Sequence, residues 1–274
     1  MIYHQAAPGR KINITRLHFR LHVGYDPVKT HLMLEKHVTR DYERKYYRFR
    51  VDRWYGGIVT ADCVGCGLFC KFCWVSDNVR LNPLKVGSFH KPEDVTSRLL
   101  NLARSRGISQ VRISGGEPTI GREHLLRVLD HLSGKDILFI LETNGILLGH
   151  DEGYAAQLSG HDFLHVRVSL KGCNESEFHM LTGADPNGFK LQLNALRNLL
   201  KAGVNCHPAI MTSFSSEGSF KMLLERLAEI DERLAEEAEI EELILYPHVV
   251  ERLKRYGLRY GVAHAPDKIP QDQI

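Results

Sequence analysis

Four cysteines fall within eleven residues of this chain, spaced Cys63-x2-Cys66-x3-Cys70-x2-Cys73. Thiolates are soft ligands for zinc and iron, so a run this dense points to a metal centre. All four on one metal would make a closed site, either structural zinc or a saturated iron–sulfur cluster. Three of them on a cubane would leave one iron open for a substrate. A structural zinc site usually pairs two separated cysteine doublets, and this run is too tight for that. The bacterial ferredoxin run has spacings of two, two and three before a proline; here they are two, three and two before Trp74. Three polar motifs follow downstream: Ser114-Gly115-Gly116-Glu117-Pro118, Glu142-Thr143-Asn144-Gly145 and Ser169-Leu170-Lys171.

These residues need elements to position them, and the pattern supplies a regular alternation. Gly57–Asp62 reads as a short strand leading into the cysteine loop. Pro92–Arg106 reads as a helix, with Pro in its first turn, Val95, Leu99 and Leu102 on one face and Gly107 as its stop. Strands are expected at Gln110–Ser114, Asp136–Thr143, Phe163–Leu170, Val204–Met211 and Glu242–Tyr246. Helices are expected at Arg122–Leu132, His150–Ser159, Gly188–Ala202 and Ser219–Ala238, and His31–Arg50 reads as a polar, helix-compatible stretch. Six strands alternating with helices predict parallel βαβ units, closed as an open doubly wound sheet or an incomplete barrel. Ligands in both collect beyond the C-terminal strand ends, which is where the cysteines and polar motifs fall.

Composition is that of an ordinary globular protein: 274 residues, 43% apolar and 25% charged. The longest apolar stretches, such as Ile137–Leu141, are too short to cross a bilayer, and no secretory signal is legible at the start. The expectation is a cytoplasmic protein without membrane association. Net charge is +3, yet residues 1–53 carry 12 Lys and Arg against 5 Asp and Glu, while the remainder carries 24 against 28. A basic arm can favour nucleic acid or an acidic partner, although a solvated surface segment explains it as well and no RNA-binding motif is present.

Cys66-x3-Cys70-x2-Cys73, with Phe72 just before the third cysteine, resembles the radical S-adenosylmethionine (SAM) superfamily. The resemblance covers about residues 56–246 and implies a partial (β/α)6 TIM-like barrel of α/β class. It implies a [4Fe–4S] cluster on Cys66, Cys70 and Cys73, whose fourth iron is chelated by SAM, with Cys63 left over. Gly115-Gly116-Glu117 resembles the family's GGE motif, whose backbone meets the methionyl amino group. Glu142, Thr143 and Asn144 match the end of the third strand. Ser169-Leu170-Lys171 and the following Thr182-Gly183 look most like the activating enzymes of glycyl radical enzymes, of the pyruvate formate-lyase activating type. That likeness implies that Lys171 meets the SAM ribose and carboxylate. Ser169 stands where those relatives carry Asp, which puts in doubt a monovalent cation site shared with Glu142 and Thr143. His207 would flank the ribose, or is an ordinary partly buried histidine.

The expected organisation is a basic extension over 1–53, a core over 54–248 and a tail over 249–274. The implied activity is reductive cleavage of SAM to a 5′-deoxyadenosyl radical that abstracts hydrogen, fed by a flavodoxin- or ferredoxin-type electron donor. A glycyl radical enzyme is the first substrate expectation. Cofactor biosynthesis on a small molecule, RNA modification, and a non-catalytic iron–sulfur or zinc protein are the alternatives.

Overall fold

The computed structural model describes residues 23–274, together with two short strands, Ile12–Asn13 and Arg20–Leu21, that pair antiparallel. Residues 1–11, 14–19 and 22 of the basic segment lie outside the described residues.

Six parallel strands form the frame: β2 (Ile58–Cys63), β3 (Gln110–Ser114), β4 (Leu138–Thr143), β5 (Leu164–Leu170), β6 (Cys206–Met211) and β7 (Glu239–Glu241). Each is hydrogen-bonded to the next in chain order, as a partial barrel requires. One more long strand, β1 (Glu43–Asp52), joins antiparallel to β2, and the two-residue and three-residue strands Thr39–Arg40 and Ser88–His90 pair with β1. The expected α/β partial barrel is thus observed.

The alternation of side chains sorts the strands into an apolar outer and a polar inner face. Val59, Ala61, Val111, Ile113, Phe139, Leu141, Val166 and Val168 are fully or nearly fully buried outside, in one cluster with helix residues such as Val95, Leu99, Val128 and Leu196. The helices that cover this face are α2 (Pro92–Arg106), α3 (Arg122–Leu132) and α4 (Gly188–Lys201). Gly107 ends α2 at φ 64°, a left-handed position where glycine has no steric cost. The inner face carries Asp62, Arg112, Glu142, Arg167, Ser169, Glu239 and Glu241.

Several expected elements are corrected. The polar stretch His31–Arg50 divides into the end of helix α1 (Pro27–Val38), capped by Asp26, and most of β1. The sixth strand is Glu239–Glu241 rather than Glu242–Tyr246; Leu243–Ile244 instead pairs with Ala263–His264. Ser219–Ala238 is two helices, α5 (Glu217–Ala228) and Glu232–Glu236, because Asp231 accepts a hydrogen bond from Arg233 N and starts the second one afresh. The expected helix at His150–Ser159 is present but shorter, Glu152–Gln157, and a separate helix, Ile146–His150, precedes it. The tail opens with a helix, α6 (Pro247–Tyr256). No helix among the described residues is long and apolar enough to cross a membrane.

Candidate functional site

The cysteine loop leaves the C-terminal end of β2 and is held from several directions. Gly67 packs so closely on the His31 ring of α1 that a Cβ there would lie 2.3 Å from it. Phe69 N donates to the Tyr25 hydroxyl at 3.1 Å, and Arg80 donates to the Cys70 carbonyl at 2.7 Å. From α6, Arg252 donates to the Cys73 carbonyl at 2.6 Å and to the Val75 carbonyl at 3.1 Å while also meeting Asp77. Loop carbonyls satisfied this way cannot rotate freely, which holds in place the backbone that carries Cys70 and Cys73.

Cys66 and Cys73 are half-buried, and Cys63 and Cys70 are buried. Burial pushes the Cys63 and Cys70 thiols up to about 11, with Lys171 and Arg80 pulling Cys70 the other way, and drives Cys66 well up. At neutral pH such thiols keep their protons, so ligation of iron releases them. Cys63, Cys66, Cys73, Gly115, Gly116 and Arg80 line one small cavity. Arg80, whose Nε lies 3.2 Å from Asp77 Oδ1, adds a paired cation to this lining, which complements an anionic cluster. Among the described residues no three His, Cys, Asp or Glu side chains close to the reach of a single metal ion. The lining takes in Cys63, Cys66 and Cys73 but not Cys70; clustered thiols out of reach of one common ion, beside a glycine wall and a cation, suit a cubane better than mononuclear zinc.

The wall of this cavity is the Gly115-Gly116 turn. A Cβ on Gly116 would lie 2.4 Å from the Gly65 carbonyl, which also accepts from Glu117 N at 2.7 Å. Glu117 is 1% exposed. Its carboxylate accepts from Thr119 N and Oγ1, from Thr143 Oγ1 at 2.7 Å and from Asn144 N at 2.7 Å. It thereby ties the ends of β3 and β4 together. Asn144 Nδ2 in turn lies 3.6 Å from Cys66 Sγ and 3.0 Å from His31 Nε2. Glu142 turns inward instead, to Arg112 at 2.5 Å and Ser114 at 2.6 Å. Burial opposes its charge, but Arg112 and Arg167 outweigh that and hold its carboxyl below the usual range.

Lys171 Nζ donates to Ser169 Oγ at 2.6 Å, and that hydroxyl donates to Glu241 at 2.9 Å. The same ammonium lies 6.0 Å from the Phe72 ring, which packs on Phe214. The structure thus gathers Phe72, Gly115, Gly116, Glu117, Glu142, Thr143, Asn144, Ser169 and Lys171 around the strand ends that carry Cys66, Cys70 and Cys73. His207 is set apart. It is the second residue of β6, toward the opposite end of the barrel, where it meets His165 at 2.6 Å and Glu239 at 3.1 Å.

Sequence reading missed the inner belt. Asp62 pairs with Arg48 and Arg50, Arg112 with Asp52 and Glu142, and Arg167 with Glu239 and Glu241. Glu239 falls to about 2, since Arg167 and His207 overcome the burial that opposes its charge. The signal was present: QVRIS and LHVRVSL alternate charged and apolar residues, and both faces of a parallel strand are buried.

Residues 62–227 match the sequence pattern of a family described as the Radical SAM superfamily. The chain belongs to the radical SAM superfamily. It is an enzyme, and the family's cofactors are a [4Fe–4S] cluster and SAM. A probable GTP 3′,8-cyclase of Saccharolobus islandicus (strain M.14.25 / Kamchatka #1) is 29% identical over 145 residues, 51% of this chain and 42% of the cyclase. The mycofactocin maturase MftC of Mycolicibacterium smegmatis is 28% identical over 138 residues, 50% of this chain and 32% of the maturase. The chain therefore matches less than half the length of these relatives. Two solved structures share the fold. Streptococcus suis SuiB bound to S-adenosylmethionine has a TM-score of 0.51 at 18% identity, covering 71% of this radical SAM chain and 44% of SuiB. A spore photoproduct lyase bound to AdoMet and a dinucleoside spore photoproduct has a TM-score of 0.53 at 14% identity, covering 77% and 63%.

Proposed function

We propose that this radical SAM enzyme holds its cluster on Cys66, Cys70 and Cys73 and acts on a polar small molecule, as in cofactor biosynthesis. One observation supports the substrate reading: the belt of paired guanidinium and carboxylate groups on the inner face of the barrel strands that follow the cysteine loop. Arg112, Arg167, Glu142, Glu239 and Glu241 there offer directional donors and acceptors at fixed positions, which suits a compact polar ligand. The relatives named as a GTP cyclase and a mycofactocin maturase support this reading over glycyl radical activation. With cluster and SAM bound, the pair would supply reductive cleavage of SAM and hydrogen abstraction, fed by a flavodoxin- or ferredoxin-type electron donor.

The chain's own residues would supply position and shelter. The three thiolates would hold the irons, and the Gly115-Gly116 backbone leaves room for close approach of the methionyl group. Lys171 would face the SAM carboxylate as a cation. All six cysteines are free, which accords with a reducing, cytoplasmic setting.

The test is anaerobic reconstitution followed by incubation with SAM, reductant and fractionated extract from deuterium-labelled cells. Deuterium is expected in 5′-deoxyadenosine only with the small-molecule fraction. Transfer from the protein fraction, with a glycyl radical signal, would replace this reading with the activase. One zinc per chain and no SAM cleavage would remove the enzymatic reading altogether.

A further inference from the structure

His31 lies on α1, outside the segment that matches the superfamily, yet it is fully buried against the cysteine loop. Its Nδ1 is 2.6 Å from the Pro27 carbonyl. A carbonyl only accepts, so Nδ1 carries the proton and Nε2 is a bare acceptor. That acceptor faces Asn144 Nδ2 at 3.0 Å. The amide's orientation is fixed independently, because Asn144 Oδ1 accepts from Ile146 N at 3.0 Å. Of the two hydrogens on Nδ2, one is taken by His31 and the other is left for Cys66 Sγ, 3.6 Å away.

We propose that His31 is a positioning residue for the cluster: through Asn144 it aims an N–H at the sulfur of Cys66. The proposal rests on the reading that Cys66 is a cluster ligand. Hydrogen bonds to a ligand sulfur stabilise the more negatively charged, reduced cluster and so raise its reduction potential. Without His31 the carboxamide loses one of its three anchors, and the weak N–H···S contact is the first to be lost. The Gly67 backbone, packed against the imidazole, gives the loop the close approach that the relay needs.

The experiment compares His31→Leu, His31→Gln, Asn144→Leu and the double variant His31→Leu/Asn144→Leu. Each is reconstituted anaerobically and titrated redox-metrically by EPR without SAM, with iron and sulfide counted per chain. His31→Leu is expected to move the midpoint to more negative potential at unchanged iron content. His31→Gln, whose Oε1 can still accept from Asn144, should restore it. The double variant should shift no further than Asn144→Leu alone, because both act through one bond. A shift in Asn144→Leu without one in His31→Leu overturns the role of His31. Loaded clusters with no shift in either variant overturn the relay as a whole. If His31→Leu does not fold, His31→Asn, which reaches Pro27 but not Asn144, carries the same expectation and the same refutation. Failure of the parent chain itself to bind four irons would count against the cluster reading, not against His31 alone.

Discussion

Glu117 accepts four hydrogen bonds from two neighbouring strand ends while almost fully buried. Glu117→Gln would present an amide N–H to groups that are themselves donors. An unsatisfied buried donor costs about 1–3 kcal/mol, so the urea midpoint should fall by that equivalent at unchanged slope. A different outcome is expected among the cysteines. Cys63→Ser should keep four irons and four sulfides per chain, whereas Cys70→Ser should abolish the cluster; loss of iron from the Cys63 variant would make it a ligand. The residue types of this site were legible in the sequence because thiol spacing and glycine pairs do not depend on tertiary context. Asn144 was found, but its partner His31 was not. A lone histidine in a polar stretch gives no sign of being buried 113 positions away from the amide it meets.

At the scale of elements, the approach of the β3 end to the β2 loop is the critical contact. Gly116→Ala would put a methyl 2.4 Å from the Gly65 carbonyl, which is backbone and has little freedom to yield. The loop should shift, and equilibrium dialysis should show SAM affinity reduced at least about tenfold, equivalent to about 1.4 kcal/mol. Unchanged affinity would mean that the turn relaxes away from the loop. The strands from β2 to β6 and the helices α2, α3 and α4 could be read from periodicity, since their buried faces are uniformly apolar, whereas the short helix Glu175–Thr182 could not. β1 escaped because buried cations break that pattern. Arg44 is 1% exposed and donates to the carbonyls of Ile120, Val38 and Glu117, but in the sequence it counts as surface. β7 escaped because Glu-Ile-Glu has its acids facing in, toward Arg167, while the apolar run just after it looked more like a strand.

For the whole molecule, pH dependence should expose the buried neutral histidines. Burial holds His124 down at about 4 and also lowers His31, against about 6.5 for an unfolded histidine. The unfolded chain thus takes up these protons first, so the stability they support is complete above pH 6.5 and falls as pH drops toward 4. One such group contributes a slope of up to about 1.4 kcal/mol per pH unit. Glu239, folded near 2, adds a further loss below about pH 4.3. Urea midpoints between pH 7.5 and about 4.5 that fail to decline would contradict the buried neutral state. The segments flanking the matched region also bear on the cluster. Arg252→Met in α6 releases two loop carbonyls, and chelator-driven iron loss should be several-fold faster with α-helical circular dichroism unchanged. Equal rates would show that α6 packs on the loop without restraining it.

The three-residue strand β7 ends the sheet at one side, and its shape decides how the molecule behaves in company. Ile240 is its one outward apolar residue, flanked by two carboxylates that turn inward to a buried guanidinium. A second chain seeking to add a strand there would find only a short ladder, and pairing would crowd further charge against Glu239 and Glu241. An incomplete barrel leaves an edge strand. Here that edge is kept too short and too acidic to act as a template, so an unclosed sheet coexists with resistance to edge-to-edge association.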